Sequence, residues 1–215
     1  MRELDPPNTV VGRSERALCH AVTSIMFAQH PNTFEEIVSV LRKLGHEVEV
    51  IPFAHSGERT FGHLERLRFN GKECIAKYAG EESSEMFEVT ALGVQQERDG
   101  LVLAQGMATP LVAELRVGER VVAVFREFSE GESLSDSIKG ARVGAAEARA
   151  LVIELVQKLT AGGLWLWDCN PQNIWRRPDG TIMLLEGQCV VPSEDSPDQL
   201  RAVNMQQVDR MFPEP

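Results

Sequence analysis

The chain has 215 residues, 43% of them hydrophobic and 25% charged, the balance of an ordinary globular protein with room for one large domain or two small lobes. Its formal net charge of −10 argues against nucleic acid as a partner, since a phosphate backbone calls for a basic face. No run of about 20 apolar residues suggests a membrane span, and the start Met1-Arg2-Glu3-Leu4-Asp5-Pro6-Pro7 has no apolar core of a classical signal peptide.

In chain order, residues 1–13 read as a lead-in, and 14–30 and 33–44 carry helical periodicity. Asn32 with Glu35 resembles a capping box for the second helix, and Gly45 ends it. His46–Phe53 then alternates as a strand does. His63–Phe69 and Glu73–Tyr78 follow as strands around an Asn70-Gly71 hairpin turn. Glu82–Gln96 reads as a helix, and Leu101–Gln105 and Arg120–Phe128 as strands. Ser133–Lys139 and Ala145–Thr160 read as helices. Short strands are expected around Pro178-Asp179-Gly180, at Thr181–Leu185 and at Cys189–Val191, before a last helix at Asp198–Met211. Strands with one helix thus precede mostly helices, an order that suits a cleft between unlike lobes. The four cysteines, Cys19, Cys74, Cys169 and Cys189, have no C-x-x-C spacing, so reduced thiols in a cytoplasmic setting are expected. The five histidines form no H-E-x-x-H set, and no G-x-S-x-G elbow is present.

The chemistry concentrates near residue 170. Leu166-Trp167-Asp168-Cys169-Asn170-Pro171-Gln172-Asn173 places an Asp and an Asn five residues apart, between a helix and a strand. This resembles the protein-kinase catalytic loop H-R-D-x-x-x-x-N, with Leu166 where the His stands. Other segments join it in order. Gly57-Glu58-Arg59-Thr60-Phe61-Gly62-His63-Leu64 resembles the glycine-rich loop, with Arg59 at the middle glycine. Ile75-Ala76-Lys77 resembles the V-A-I-K strand. Glu88, eleven residues on, stands for the helix glutamate that pairs with the lysine, with Glu85 as its rival. Residues 123–134, running through Arg126-Glu127-Phe128-Ser129, resemble the hinge. Glu186-Gly187-Gln188 stands where D-F-G is expected, with the carboxylate lengthened by one methylene.

The resemblance implies an α+β, bilobal protein-kinase-like fold, with an antiparallel-sheet N-lobe and a truncated, mainly helical C-lobe. Its divisions are a helical extension at 1–45, an N-lobe at 46–128 and a C-lobe at 129–215. It implies an ATP- and Mg2+- (or Mn2+-) dependent phosphotransferase acting on a Ser or Thr hydroxyl of a protein. Asp168 would take the hydroxyl proton, and Lys77, held by Glu88, would position the phosphates. Gly57, Thr60, Phe61 and Gly62 would cover the nucleotide. The Glu127 carbonyl and Ser129 N–H would read adenine, beside Arg126. Asn173 and Glu186 would hold the metal. Only 29 residues follow Glu186, so no activation segment is expected, and activity would be constitutive or depend on an activating partner protein. In size the chain is similar to some minimal bacterial secreted effector kinases that act in a host cytosol. The alternatives are a nucleotide-binding pseudokinase scaffold, to which Arg59, Leu166 and Glu186 point, and a small-molecule kinase of the aminoglycoside type. Trp165, Trp167 and Trp175 read as core packing, with the first two as candidates to line the cleft.

Overall fold

The computed structural model describes residues 22–53, 57–59, 62–81, 87–167 and 169–213. Among the described residues the fold is α+β, with five helices and a mixed seven-stranded sheet. In chain order the elements are β1 (Thr23–Phe27), α1 (Phe34–Lys43), β2 (Val48–Ile51), β3 (Gly57–Arg59), β4 (Gly62–Phe69), β5 (Lys72–Tyr78), α2 (Phe87–Leu103), β6 (Leu111–Val117) and β7 (Arg120–Glu127). Next come β8 (Glu132–Ser133), α3 (Leu134–Lys139), α4 (Ala145–Ala161), β9 (Leu164–Leu166), β10 (Ile174–Arg176) and β11 (Ile182–Leu184). A 3-10 turn at Gly187–Cys189, β12 (Val190–Pro192) and α5 (Pro197–Met211) complete the chain. Among the described residues, no helix is long and apolar enough to cross a membrane.

The sheet runs β1-β6-β7-β5-β4-β2, with β3 also paired to β4. The β4–β5 hairpin turns at Asn70 (φ 48°) and Gly71 (φ 83°), two positive φ angles that match the strand twist. Its side chains alternate faces. Leu67, Phe69, Cys74, Ala76 and Tyr78 join Phe125 of β7 in one core, closed by the Phe34, Ile37, Val38 and Leu41 stripe of α1. Ile75, Lys77 and Val124 turn to the other side, where Val124 joins a second core with Val94 and Leu101 of α2, Val152, Val156 and Leu159 of α4, Leu166, Ile174 and Leu184.

Several elements differ from the sequence reading. The helix expected at 14–30 falls partly outside the described residues, and its described end is strand β1. This strand pairs parallel with β6, so the sheet is mixed rather than antiparallel. Residues 22–44 therefore supply one edge strand and the helix that closes the first core. The cap of α1 is Thr33, one residue later than expected: its hydroxyl accepts the Glu36 N–H at 3.2 Å, and the Glu36 carboxylate accepts the Asn32 N–H at 2.7 Å. Leu101–Leu103 is the last turn of α2, not a strand, because Val94, Glu97 and Leu101 continue one helical stripe through Gly100. The strand after it is β6, farther along.

At the other end, Pro197 and the Ser196–Gln199 capping box start α5. Its fully buried Asn204 accepts the Leu166 N–H at 2.8 Å and donates to Leu164 O at 3.0 Å and Thr160 Oγ1 at 2.9 Å. One side chain thereby ties α5 to α4 and to β9, the strand that leads into the 167–173 loop.

Candidate functional site

The edge of the β4–β5 hairpin, the 127–133 connector and β10 enclose a cavity of about 560 Å3. Leu64 and Ile75 line one side, Phe128 and Ser129 the connector, and Gln172, Trp175 and Glu186 the far side. The Trp175 Nε1–H donates to Ser129 O (3.2 Å) and Glu130 O (3.3 Å), tying the connector to β10. A second cavity of about 600 Å3 includes Asp99, Trp165, Trp167, Asn170, Asn173 and Glu186 in its wall. Glu186 belongs to both walls, so it stands where the two spaces meet. A third groove of about 440 Å3, between α1 and β2, shares none of these residues.

A buried charge cluster adjoins the first cavity. Lys77, from the middle of β5, lies 3.8 Å from Glu97 Oε2, and Arg126 NH1 lies 3.5 Å from Glu97 Oε1. Glu97 is fully buried, and its Oε2 also accepts the Gly187 N–H at 3.1 Å. Arg126 donates to Leu185 O as well. A carboxylate removed from water is tolerable only with such partners, and here two cations and a backbone donor serve it.

Glu97, not Glu88, is therefore the acid that meets Lys77. Glu88 opens α2 with its side chain 76% exposed, and it pairs with Arg120 at 3.3 Å. Nine residues make about two and a half helical turns, so Glu88 and Glu97 point to opposite faces of α2. Glu85, the rival, lies outside the described residues. Glu97 had a legible signal: a charged residue set among Ala91, Val94 and Leu101 on the apolar stripe.

Backbone packing brings α2 to the 186–189 segment. A Cβ on Gly100 would lie 1.8 Å from Gly187 O, and one on Gly187 would lie 2.1 Å from Glu97 O. Both positions admit only glycine, and this close approach lets Glu97 reach the Gly187 N–H.

The remaining expected residues fall as follows. Asp168, Thr60 and Phe61 lie outside the described residues. Gly57 and Gly62 are on paired strands, with Gly57 opposite Leu64 and Arg59 opposite Gly62. Glu127 and Ser129 line the first cavity, and the Glu127 carboxylate pairs with Lys72 at 3.2 Å. Asn173 O accepts the Leu185 N–H at 2.8 Å, which brings Asn173 beside Glu186. The Asn173 Nδ2 donates to Cys189 Sγ at 3.5 Å, and Asn173 and Glu186 both line the second cavity. An amide oxygen and a carboxylate are the hard donors that Mg2+ or Mn2+ takes, together with phosphate oxygens. Among the described residues, no group of three or more His, Cys, Asp and Glu side chains could hold a metal on its own.

Both cysteines beside Asp168's loop are buried and free. The thiol–thiol hydrogen bond to Cys189, followed by burial, pushes the Cys169 thiol well up from its ordinary value, so it stays protonated. Trp165 and Trp167 meet edge to face at 4.7 Å, and Trp167 is half-exposed at the mouth of the second cavity. No protein-family model matches the chain, and a search of curated proteins finds no match.

Proposed function

We propose that the chain is a small nucleotide-dependent phosphotransferase of bilobal, protein-kinase-like design, which transfers a γ-phosphoryl group to a Ser or Thr hydroxyl of a protein. The observation that carries this reading is the buried Lys77–Glu97 pair, linked through Arg126 to the wall of the 560 Å3 cavity and through Gly187 to the segment that bears Glu186. A lysine held by a helix carboxylate, beside an Asn and an acid facing one space, is the arrangement that phosphoryl transfer needs. In that reading the sheet with α1 and α2 forms one lobe, and the helical remainder forms the other.

Lys77 would contact the phosphates, and Glu97 fixes its position. Asn173 and Glu186 would hold Mg2+ or Mn2+, which when bound offsets phosphate charge. Asp168 would take the proton of the acceptor hydroxyl. Little bond-making falls to the protein, since this chemistry is chiefly positioning and charge stabilisation. The test is transfer of label from a γ-labelled nucleoside triphosphate to an acceptor protein. Label is expected with the wild type and is expected to be lost with Asp168→Ala and Lys77→Met. Transfer retained in both variants would sink the assignment.

One observation favours a second reading, a nucleotide-binding scaffold without transferase activity. Arg126 shares Glu97 with Lys77 and so competes for the carboxylate that orients it. Nucleotide binding by the wild type with no transferred label would select that reading.

A further inference from the structure

The second cavity, of about 600 Å3, has a wall chemistry that the transfer step does not use. Trp165 and Trp167 both border it, and their rings meet at 73°, so two indoles form one aromatic corner. Trp167 is half-exposed, where an indole that served only the core would be covered. From α2 come Gln96, Asp99 and Leu103, three and four residues apart along one helical face. Asp99 and Glu186 put two carboxylates in the wall, and among the described residues no lysine, arginine or histidine joins them there.

Asp99 keeps room for a further donor. Its Oδ1 accepts from Arg98 and Gln95, whereas among the described residues its Oδ2 accepts only from Gln95, at 3.0 Å. A carboxylate oxygen takes two donors, so Oδ2 has one place open, and 47% of the side chain is exposed. Arg98 is shared with Glu114 at 2.7 Å and does not line the cavity. Electron-rich rings beside a carboxylate attract positive charge. A planar guanidinium answers both, because it stacks on an indole and donates from its edge to a carboxylate.

The same cavity is bordered by Asn173 and Glu186, and by Asn170, which with Trp167 brackets Asp168 in the chain. A hydroxyl that reaches this loop therefore brings its own neighbours into the cavity. An extended peptide advances about 3.3 Å per residue, so roughly three residues cross a space of this size.

We propose that this cavity is an acceptor subsite for an arginine side chain, so that the substrate is a basic protein segment with an arginine within about three residues of its Ser or Thr, and that Trp167 and Asp99 determine this specificity. The proposal rests on the reading of the chain as a protein phosphotransferase.

The test uses the full chain and a set of peptides, each with one Ser in an alanine–glycine background and one arginine, placed from three residues before the Ser to three after. In a matched set citrulline replaces arginine, which keeps the shape and removes the charge. Calorimetry gives the affinities, and a cell lysate with γ-labelled ATP gives transfer to acceptors in general. At least one arginine peptide is expected to bind about 10-fold or more tightly than its citrulline partner, with the ratio falling toward unity in Asp99→Asn and in Trp167→Leu. Both side chains are half-exposed, so both variants are expected to fold. Equal affinities in every matched pair, or no peptide binding, with label still entering lysate proteins, would overturn the arginine subsite and leave the transferase. No binding and no label would overturn the subsite and the transferase together. An arginine preference kept in both folded variants would take this cavity out of the argument. Agmatine, a free guanidinium compound, binding as tightly as the best peptide would make this a site for small cations and overturn the acceptor assignment. The wild-type pairs decide whether charge matters even where a variant does not fold.

Discussion

Replacing Glu97 by Ala removes the one carboxylate that Lys77 and Arg126 share. Both cations are almost fully buried, so neither can turn to water in compensation. Breaking a buried ion pair from one side costs about 3–5 kcal/mol, because a charge is left stranded. The Gly187 N–H also loses its acceptor, a further cost of about 1–3 kcal/mol. The two losses share one site and do not simply add, so about 4 kcal/mol is a fair lower figure. At about 2–4 °C per kcal/mol for a domain of this size, the melting temperature should fall by roughly 8–16 °C. Glu97→Gln keeps the shape and an acceptor for Gly187 and should fall less. Glu88→Ala is the control: its pair with Arg120 is exposed and screened, so the shift should be within about 2 °C. Thermal unfolding followed by circular dichroism measures all three. A Glu97→Ala melting temperature within about 2 °C of wild type, or an equal fall in Glu88→Ala, would refute the charge-cluster reasoning.

Gly100→Ala drives a methyl into Gly187 O, a backbone atom that cannot swing aside, so α2 must separate from the 186–189 segment. Urea denaturation should show a loss of at least about 1–3 kcal/mol, and a neutral result would mean that the two backbones do not touch. Asn204→Ala leaves the Leu166 N–H and Leu164 O unpaired in the interior and should cost about 2–4 kcal/mol in the same assay, with faster hydrogen exchange at β9. Glu114 lies among Ser24, Arg98 and Arg116. Burial pushes its carboxyl up, but hydrogen bonds from Arg98 and Arg116 outweigh burial and hold it below the ordinary value of 4.5. A depressed folded value means that this contribution is complete above about pH 4.5 and is lost as the pH falls through the folded value. The melting-temperature gap between wild type and Glu114→Gln should therefore be constant above about pH 5 and close below pH 4.5, and a gap that widens in acid would contradict the sign.

What could be read in the sequence was local. The β4–β5 hairpin announces itself through Asn70-Gly71 between alternating strands, and α1, α4 and α5 through periodicity and caps. Strand β1 did not, because its partner β6 lies 90 residues away and its exposed Met26 blurs the alternation. The site divides in the same way. Lys77, Asn173 and Glu186 stood out because one loop or one strand sets their spacing. The partner of Lys77 depends instead on the rotational phase of α2 over the sheet, and a nine-residue error turns the choice to the solvent face. Burial would have corrected it. Among the described residues the buried cations are Lys77 and Arg126, and the buried acids are Glu97 and Glu114. Glu114 is taken by Arg98 and Arg116, so Glu97 has no other cation to meet and the two buried cations have no other acid. An acid on an apolar helical stripe, in a chain whose central strand carries a lysine, is best read as one half of a buried pair before spacing is consulted at all.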